Sequence, residues 1–156
     1  MKVKNKNFST LWADKDHVKI IDQTNLPFEF KIIDLKNLKD FCKAIKEMQV
    51  RGAPLIGITA AFGLAISIKK NASLENIKKS KEILIKTRPT AINLKWALNQ
   101  IIKIVTTLPE KERASEALQL SKMMREDDIV NCYKIGLNGY KIIEKIYKEK
   151  QRVINI

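Results

Sequence analysis

Residues 53–68, APLIGITAAFGLAISI, carry no charge and hardly any polarity. A helix that is apolar on every side must lie inside something, so this stretch predicts the central helix of a bundle. It is a poor membrane span. It falls short of the ~20 residues a crossing needs, and it contains Pro54, Gly57 and Gly63. Pro54 suits a first helical position, where its missing N–H would have no partner anyway. The residues just ahead are less expected, because Arg51 and Gly52 put a fixed charge and a flexible backbone at the mouth of the most apolar helix in the chain.

The flanking sequence supplies a shell for that helix. Over residues 1–35, FSTLW, HVKIID and FEFKIID alternate roughly and are rich in β-branched and aromatic residues, while ADKD and QTNLP supply turn chemistry, which predicts a small antiparallel meander. From Leu35 the period becomes helical. Leu38, Phe41, Cys42, Ile45 and Met48 form one face of a first helix with Asn37 as its cap. A third helix starts behind the cap Ser73 and runs to about Lys86. TRPT breaks it, since the residue before a proline is pushed out of the helical region. Thr90 is placed to cap a fourth helix with the face Leu94, Ala97, Leu98, Ile101 and Val105. A long helical stretch follows to about Lys148, with Ile129, Tyr133, Gly136, Tyr140, Ile143 and Tyr147 on one stripe and a change of direction expected near REDD. Gly136 and Gly139 are expected to permit close helix packing. Residues 151–156, QRVINI, return to a β-branched pattern.

The formal net charge of +13 raises nucleic acid as a partner, but the composition argues against it. Only 5 of the 30 basic residues are arginine, and the lysines come with 23 isoleucines and 11 asparagines, as AT-rich codons would produce throughout a chain. The basic stretches also lack interleaved aromatics that could stack on bases. Cys42 and Cys132 lie 90 positions apart in helical contexts, and the single His17 finds no second ligand, so neither a metal site nor a disulfide framework is read. A reducing cytoplasm fits this usage, and the N-terminus has no apolar signal segment.

The chemistry that remains concerns anions. First-turn N–H groups and the helix dipole make an anion site, Gly52 allows close backbone approach, and Arg51 offers a planar fork for phosphate or carboxylate. Read locally, a tight helix–helix turn with Arg51 in solvent is the simpler account. Arg88, also just before a proline at a helix start, repeats the arrangement, although spacing alone does not show that the two arginines converge. REDD at 125–128 reads as a solvated turn or helix surface, and Trp12 and Trp96 read as packing residues.

VRGAPLIGITAAFGLA, followed some 35 residues later by TRPTAINLKWAL, resembles the N-terminal half of the methylthioribose-1-phosphate isomerases. IIDQTNLP and EDDIVNCYKIGLNG extend the resemblance over essentially the whole chain. The superfamily also holds ribose-1,5-bisphosphate isomerase and the regulatory subunits of eukaryotic initiation factor 2B. The resemblance implies an aldose–ketose isomerase of methionine salvage, converting 5-methylthioribose 1-phosphate to the ribulose form without metal or organic cofactor. It implies substrate binding by Arg51, Gly52 and Ala53 and by Arg88. It further implies an α+β, mainly helical fold: a meander over 1–35, a bundle over 36–150 in the same domain, and at 151–156 the first strand of a missing Rossmann-like domain. That absent domain would carry the catalytic cysteine and aspartate, so no catalytic residue is assigned and neither Cys42 nor Cys132 takes the role. The expected partners are a phosphosugar and either a second copy or a separate C-terminal half, with no nucleic acid and no membrane. The second reading is a free-standing regulatory or protein-binding module related to the initiation factor 2B subunits.

Overall fold

The computed structural model describes residues 2, 3 and 5–155, which divide into two compact units, Met1–Met123 and Met124–Ile156. The first unit opens with strands β1 (Lys2–Val3) and β2 (Lys6–Asn7), an antiparallel pair around Asn5 at φ +61°. Strands β3 (Leu11–Asp14), β4 (His17–Ile21) and β5 (Ile32–Leu35) then form the expected antiparallel meander in the order β3-β4-β5. The β1–β2 hairpin is additional to that reading. FSTLW and FEFKIID contribute only their C-terminal parts as strand, and Phe28 is almost wholly exposed. Phe8 instead packs its ring against Phe30 at 4.9 Å and Trp12 at 6.3 Å between centroids.

The meander buries Leu11, Val18, Ile20 and Leu35. Its β3–β4 turn is tied to the bundle by the Asp16 carboxylate, which accepts a 2.5 Å hydrogen bond from Lys69 Nζ. That ammonium holds the Asp16 carboxyl below its usual value.

Helices α1 (Leu38–Lys46), α2 (Ala53–Lys70), α3 (Leu74–Thr87), α4 (Ile92–Val105) and α5 (Glu110–Lys150) follow. Two of the starts are set by side chains, as the sequence predicts. Asn37 Oδ1 accepts from the N–H groups of Lys39 and Asp40 while Asp40 Oδ2 accepts from the Asn37 N–H, a closed capping box. Ser73 Oγ accepts from the Asn76 N–H at 3.2 Å. Helix α2 is the core of the bundle, with every residue from Ile56 to Ile68 buried and with α1, α3 and α4 packed around it. By length and composition it is the one helix among the described residues that could cross a membrane, yet 72% of it is buried inside the protein. The predicted face of α4, Leu94, Ala97, Leu98, Ile101 and Val105, is buried throughout.

Expectations at three positions before the second unit's C-terminal part are corrected first. The N-cap of α4 is Ala91, not Thr90, because the Ala91 N–H closes a turn onto the Arg88 carbonyl and moves the helix start one residue on. Trp96 is 54% exposed and is not a packing residue of the core. Helix α5 runs unbroken through REDD, since nothing there interrupts its ladder.

In the second unit the α5 stripe is solvent-facing, with Ile129, Tyr133, Tyr140 and Tyr147 exposed. A Cβ on Gly136 or Gly139 would meet nothing within 4 Å, so the close packing expected of them is not made. Residues 151–155 carry no strand ladder, and Ile156 lies outside the described residues.

Candidate functional site

Arg51 enters the structure through the end of α1. Met48 takes the left-handed conformation at φ +58°, and the N–H groups of Gln49 and Val50 both turn back to the Ala44 carbonyl, at 2.9 and 3.4 Å. Val50 is then buried, which leaves Arg51, Gly52, Ala53 and Pro54 on the surface at the head of α2. Gly52 is the N-cap at φ +92°, a region that L side chains rarely adopt, and its carbonyl accepts from the Ile56 N–H at 3.0 Å. A Cβ at Gly52 would meet nothing within 4 Å, so the space beside this backbone is open.

Arg88 is the C-cap of α3 and the first residue of the turn into α4. Its N–H donates to the Ile85 carbonyl at 3.2 Å and its carbonyl accepts from Ala91 at 3.0 Å, so its backbone joins the two helices. The side chain is half-buried.

The heads of α2 and α4 are neighbours. A Cβ on Gly57, one turn into α2, would lie 2.8 Å from the backbone oxygen of Asn93, the second residue of α4. Both arginine-bearing turns therefore lie at the same end of the bundle, each within about two helical turns of that contact.

Electrostatics sets these two heads apart. Helices α1, α3 and α5 each carry an acidic residue in the first turn, Asp40, Glu75 and Glu110 with Glu112 respectively. Helices α2 and α4 carry none, and neither has a side-chain cap. Their N-terminal partial positive charges are thus left for another anion to balance. Such an end, with an arginine beside it, can bind phosphate or carboxylate.

The sequence reading missed the part played by Asp22 and its neighbours, although it recognised QTNLP as a turn. Asp22 is 3% exposed, and its carboxylate accepts from the Thr24 N–H and hydroxyl and from Asn25 Nδ2. An aspartate at the end of a strand, with Thr24 two residues on, was the available signal, because such a side chain can bond the backbone two residues ahead. Burial pushes the Cys42 thiol up, which keeps it protonated at neutral pH and suits it poorly to nucleophilic work. Among the described residues no group of three His, Cys, Asp or Glu side chains stands where it could hold a metal ion. A groove lined by Tyr140, Ile143, Tyr147 and Val153 belongs to the second unit and contains none of the four candidate residues.

Residues 49–155 match the Initiation factor 2 subunit family. Curated proteins named methylthioribose-1-phosphate isomerase are similar over nearly the whole chain. The one from Paramagnetospirillum magneticum is 44% identical, covering 100% of this chain and 44% of its own length. That from Sinorhizobium medicae is 45% identical, covering 97% and 42%. The crystal structure of 5-methylthioribose 1-phosphate isomerase from Pyrococcus horikoshii superposes with a TM-score of 0.71 at 37% identity, over 76% of this chain and 36% of that one. The delta subunit of translation initiation factor eIF-2B from A. fulgidus gives 0.73 at 29% identity, over 79% and 38%. The chain thus spans less than half the length of these relatives. The resemblance read from its motifs is borne out, and with a match over residues 49–155 the chain belongs to the Initiation factor 2 subunit family.

Proposed function

We propose that this chain is the substrate-binding N-terminal half of a methylthioribose-1-phosphate isomerase. In this reading residues 1–35 and 36–150 form one domain, and 151–156 begin a second, α/β domain. The observation that carries the reading is the pairing of two uncapped, acid-free helix heads, each preceded by an arginine, at one end of the bundle. Arg51, Gly52, Ala53 and Arg88 hold the phosphate and sugar oxygens of 5-methylthioribose 1-phosphate. The open backbone at Gly52 lets an oxygen approach main-chain N–H groups directly. The curated relatives, 44–45% identical over nearly all of this chain, supply the substrate class.

Isomerisation of such a sugar asks for more than binding. A phosphate on C1 locks the ring, so one group must assist opening and an acid or base must move hydrogen between C1 and C2. No residue of this chain is assigned to either task. The chain binds substrate weakly and turns nothing over alone.

Titration calorimetry with 5-methylthioribose 1-phosphate tests this. Arg51→Ala and Arg88→Ala are each expected to weaken binding by about 10- to 100-fold, the scale of one hydrogen bond to a charged group. Unchanged affinity in both variants, or ketose formed by the pure chain, would overturn the proposal.

The second reading, a regulatory or protein-binding module, is favoured by the fit to the initiation factor delta subunit at a TM-score of 0.73. It requires a stable complex with a protein partner and no affinity for the sugar phosphate, the opposite result in the same titration.

A further inference from the structure

The segment Asp22–Pro27 is not used by the reading above, although it lies in one of the motifs that carry the resemblance read from the sequence. Its chemistry is unusual for a surface loop. Asp22 is 3% exposed, and a buried carboxylate is costly unless hydrogen bonds replace its water. They do so here within four residues. Oδ1 accepts from the Thr24 N–H at 3.0 Å and from the Thr24 hydroxyl at 2.6 Å, and Oδ2 accepts from Asn25 Nδ2 at 3.0 Å. The Asp22 N–H itself donates to the Lys31 carbonyl at 2.9 Å, closing the neck of the β4–β5 loop.

This wrapping fixes the direction of the next main-chain donor. The Gln23 N–H donates at 3.0 Å to the carbonyl of Gln49, two residues before Arg51. The Gln49 N–H is held at 2.9 Å by the Ala44 carbonyl, and on the far side of Arg51 the Gly52 carbonyl accepts from Ile56. Arg51 is thereby framed by the sheet loop and α1 on one side and by the first turn of α2 on the other.

We propose that Asp22 is a positioning residue for the Arg51–Gly52 turn. By folding residues 22–25 around its carboxylate it aims the Gln23 N–H at the Gln49 carbonyl, and so sets the path on which Arg51 and Gly52 meet the ligand's anionic group. The inference rests on the reading of Arg51–Ala53 as the sugar-phosphate site.

The test compares the whole chain with Asp22→Ala and Asp22→Asn. Two readouts are taken: affinity for 5-methylthioribose 1-phosphate, and hydrogen exchange at the amides of Gln23, Gln49 and Val50 against those of Ala60–Leu64 in the centre of α2. Asp22→Ala is expected to weaken binding about tenfold, as modest misplacement of a binding group does. It should also speed exchange at the three loop amides about tenfold while the α2 amides stay protected. Asp22→Asn should restore both, because its Oδ1 keeps the two Thr24 bonds and a rotated Asn25 amide can meet its NH2. If Asp22→Ala binds and exchanges as the wild type does, the proposal is wrong. It is equally overturned if exchange rises alike everywhere, or if Asp22→Asn fails to restore, since charge or global stability would then be the cause. Should the wild type not bind the sugar phosphate, the reading of the site has failed, and loop exchange alone decides: deprotected Gln23 and Gln49 amides uphold the clamp, and protected ones refute it. If Asp22→Ala does not fold, Thr24→Val, which removes only the 2.6 Å hydroxyl bond, takes its place with effects of about threefold and the same criteria.

Discussion

Phe41→Ala is expected to lower the unfolding free energy by about 3–5 kcal/mol, the range for emptying a fully buried aromatic position. Phe41 has no exposed surface and stands where three helices meet. Its Cβ and Cγ lie 2.9 and 3.0 Å from the point a Cβ on Gly63 of α2 would occupy, and Leu84 of α3 lies 3.4 Å from the same point. The ring's root therefore rests on bare backbone. Gly63 has no side chain that could move into the vacated space, and the central helix is held from several sides, so little collapse can offset the loss. Against the 5–15 kcal/mol typical of a whole domain, this would remove much of the bundle's stability. Urea denaturation of the two proteins measures it; a difference under about 1 kcal/mol would mean that α1 docks by other contacts.

Gly57→Val is expected to cost about 3 kcal/mol and to abolish measurable sugar-phosphate binding. A side chain at an interior helical position normally gains a little over glycine, by up to ~1 kcal/mol for alanine and less for a β-branched residue. Here the gain is outweighed because the obstacle is main chain. The new Cβ would lie 2.8 Å from the Asn93 oxygen and 3.1 Å from its carbonyl carbon, neither of which can rotate away. The first turn of α4 must shift off α2, which parts the two helix heads. Gly57→Ala should do the same more mildly. Denaturation and calorimetry on one preparation separate the effects: stability lost with affinity kept would show that the spacing of the heads does not matter to the ligand.

Much of this arrangement could be read from side chains. Asn37 and Ser73 were legible as caps because their short polar groups reach first-turn N–H groups wherever they stand at a helix start. The burial of α2 followed from its lack of any polar face, and the α4 face from its spacing. What could not be read depends on backbone or on direction. The Gly57–Asn93 approach involves a glycine and a main-chain carbonyl, and neither leaves a mark in a hydrophobic pattern. The aim of the Gln23 N–H at Gln49 is invisible for the same reason. Periodicity assigned a stripe to α5, but a stripe does not say what it faces, and Tyr133 and Tyr140 face solvent. Trp96 misled because size suggested the core, whereas its position on α4 falls outside the buried face.

The absence of acids from the heads of α2 and α4 also makes the fold sensitive to its medium. Two N-terminal partial charges, in a chain of formal net charge +13, raise the energy of the empty protein, and any small anion that settles there lowers it again. If the proposed site binds anions, thermal stability becomes a property of protein and buffer together, rising as the logarithm of anion concentration once that exceeds the dissociation constant. A melting curve taken in phosphate should lie above one taken in a bulky zwitterionic buffer at equal pH and ionic strength, and Arg51→Ala should narrow the gap. Affinities for a sugar phosphate measured in phosphate or sulfate would be competition values, weaker than the site's own.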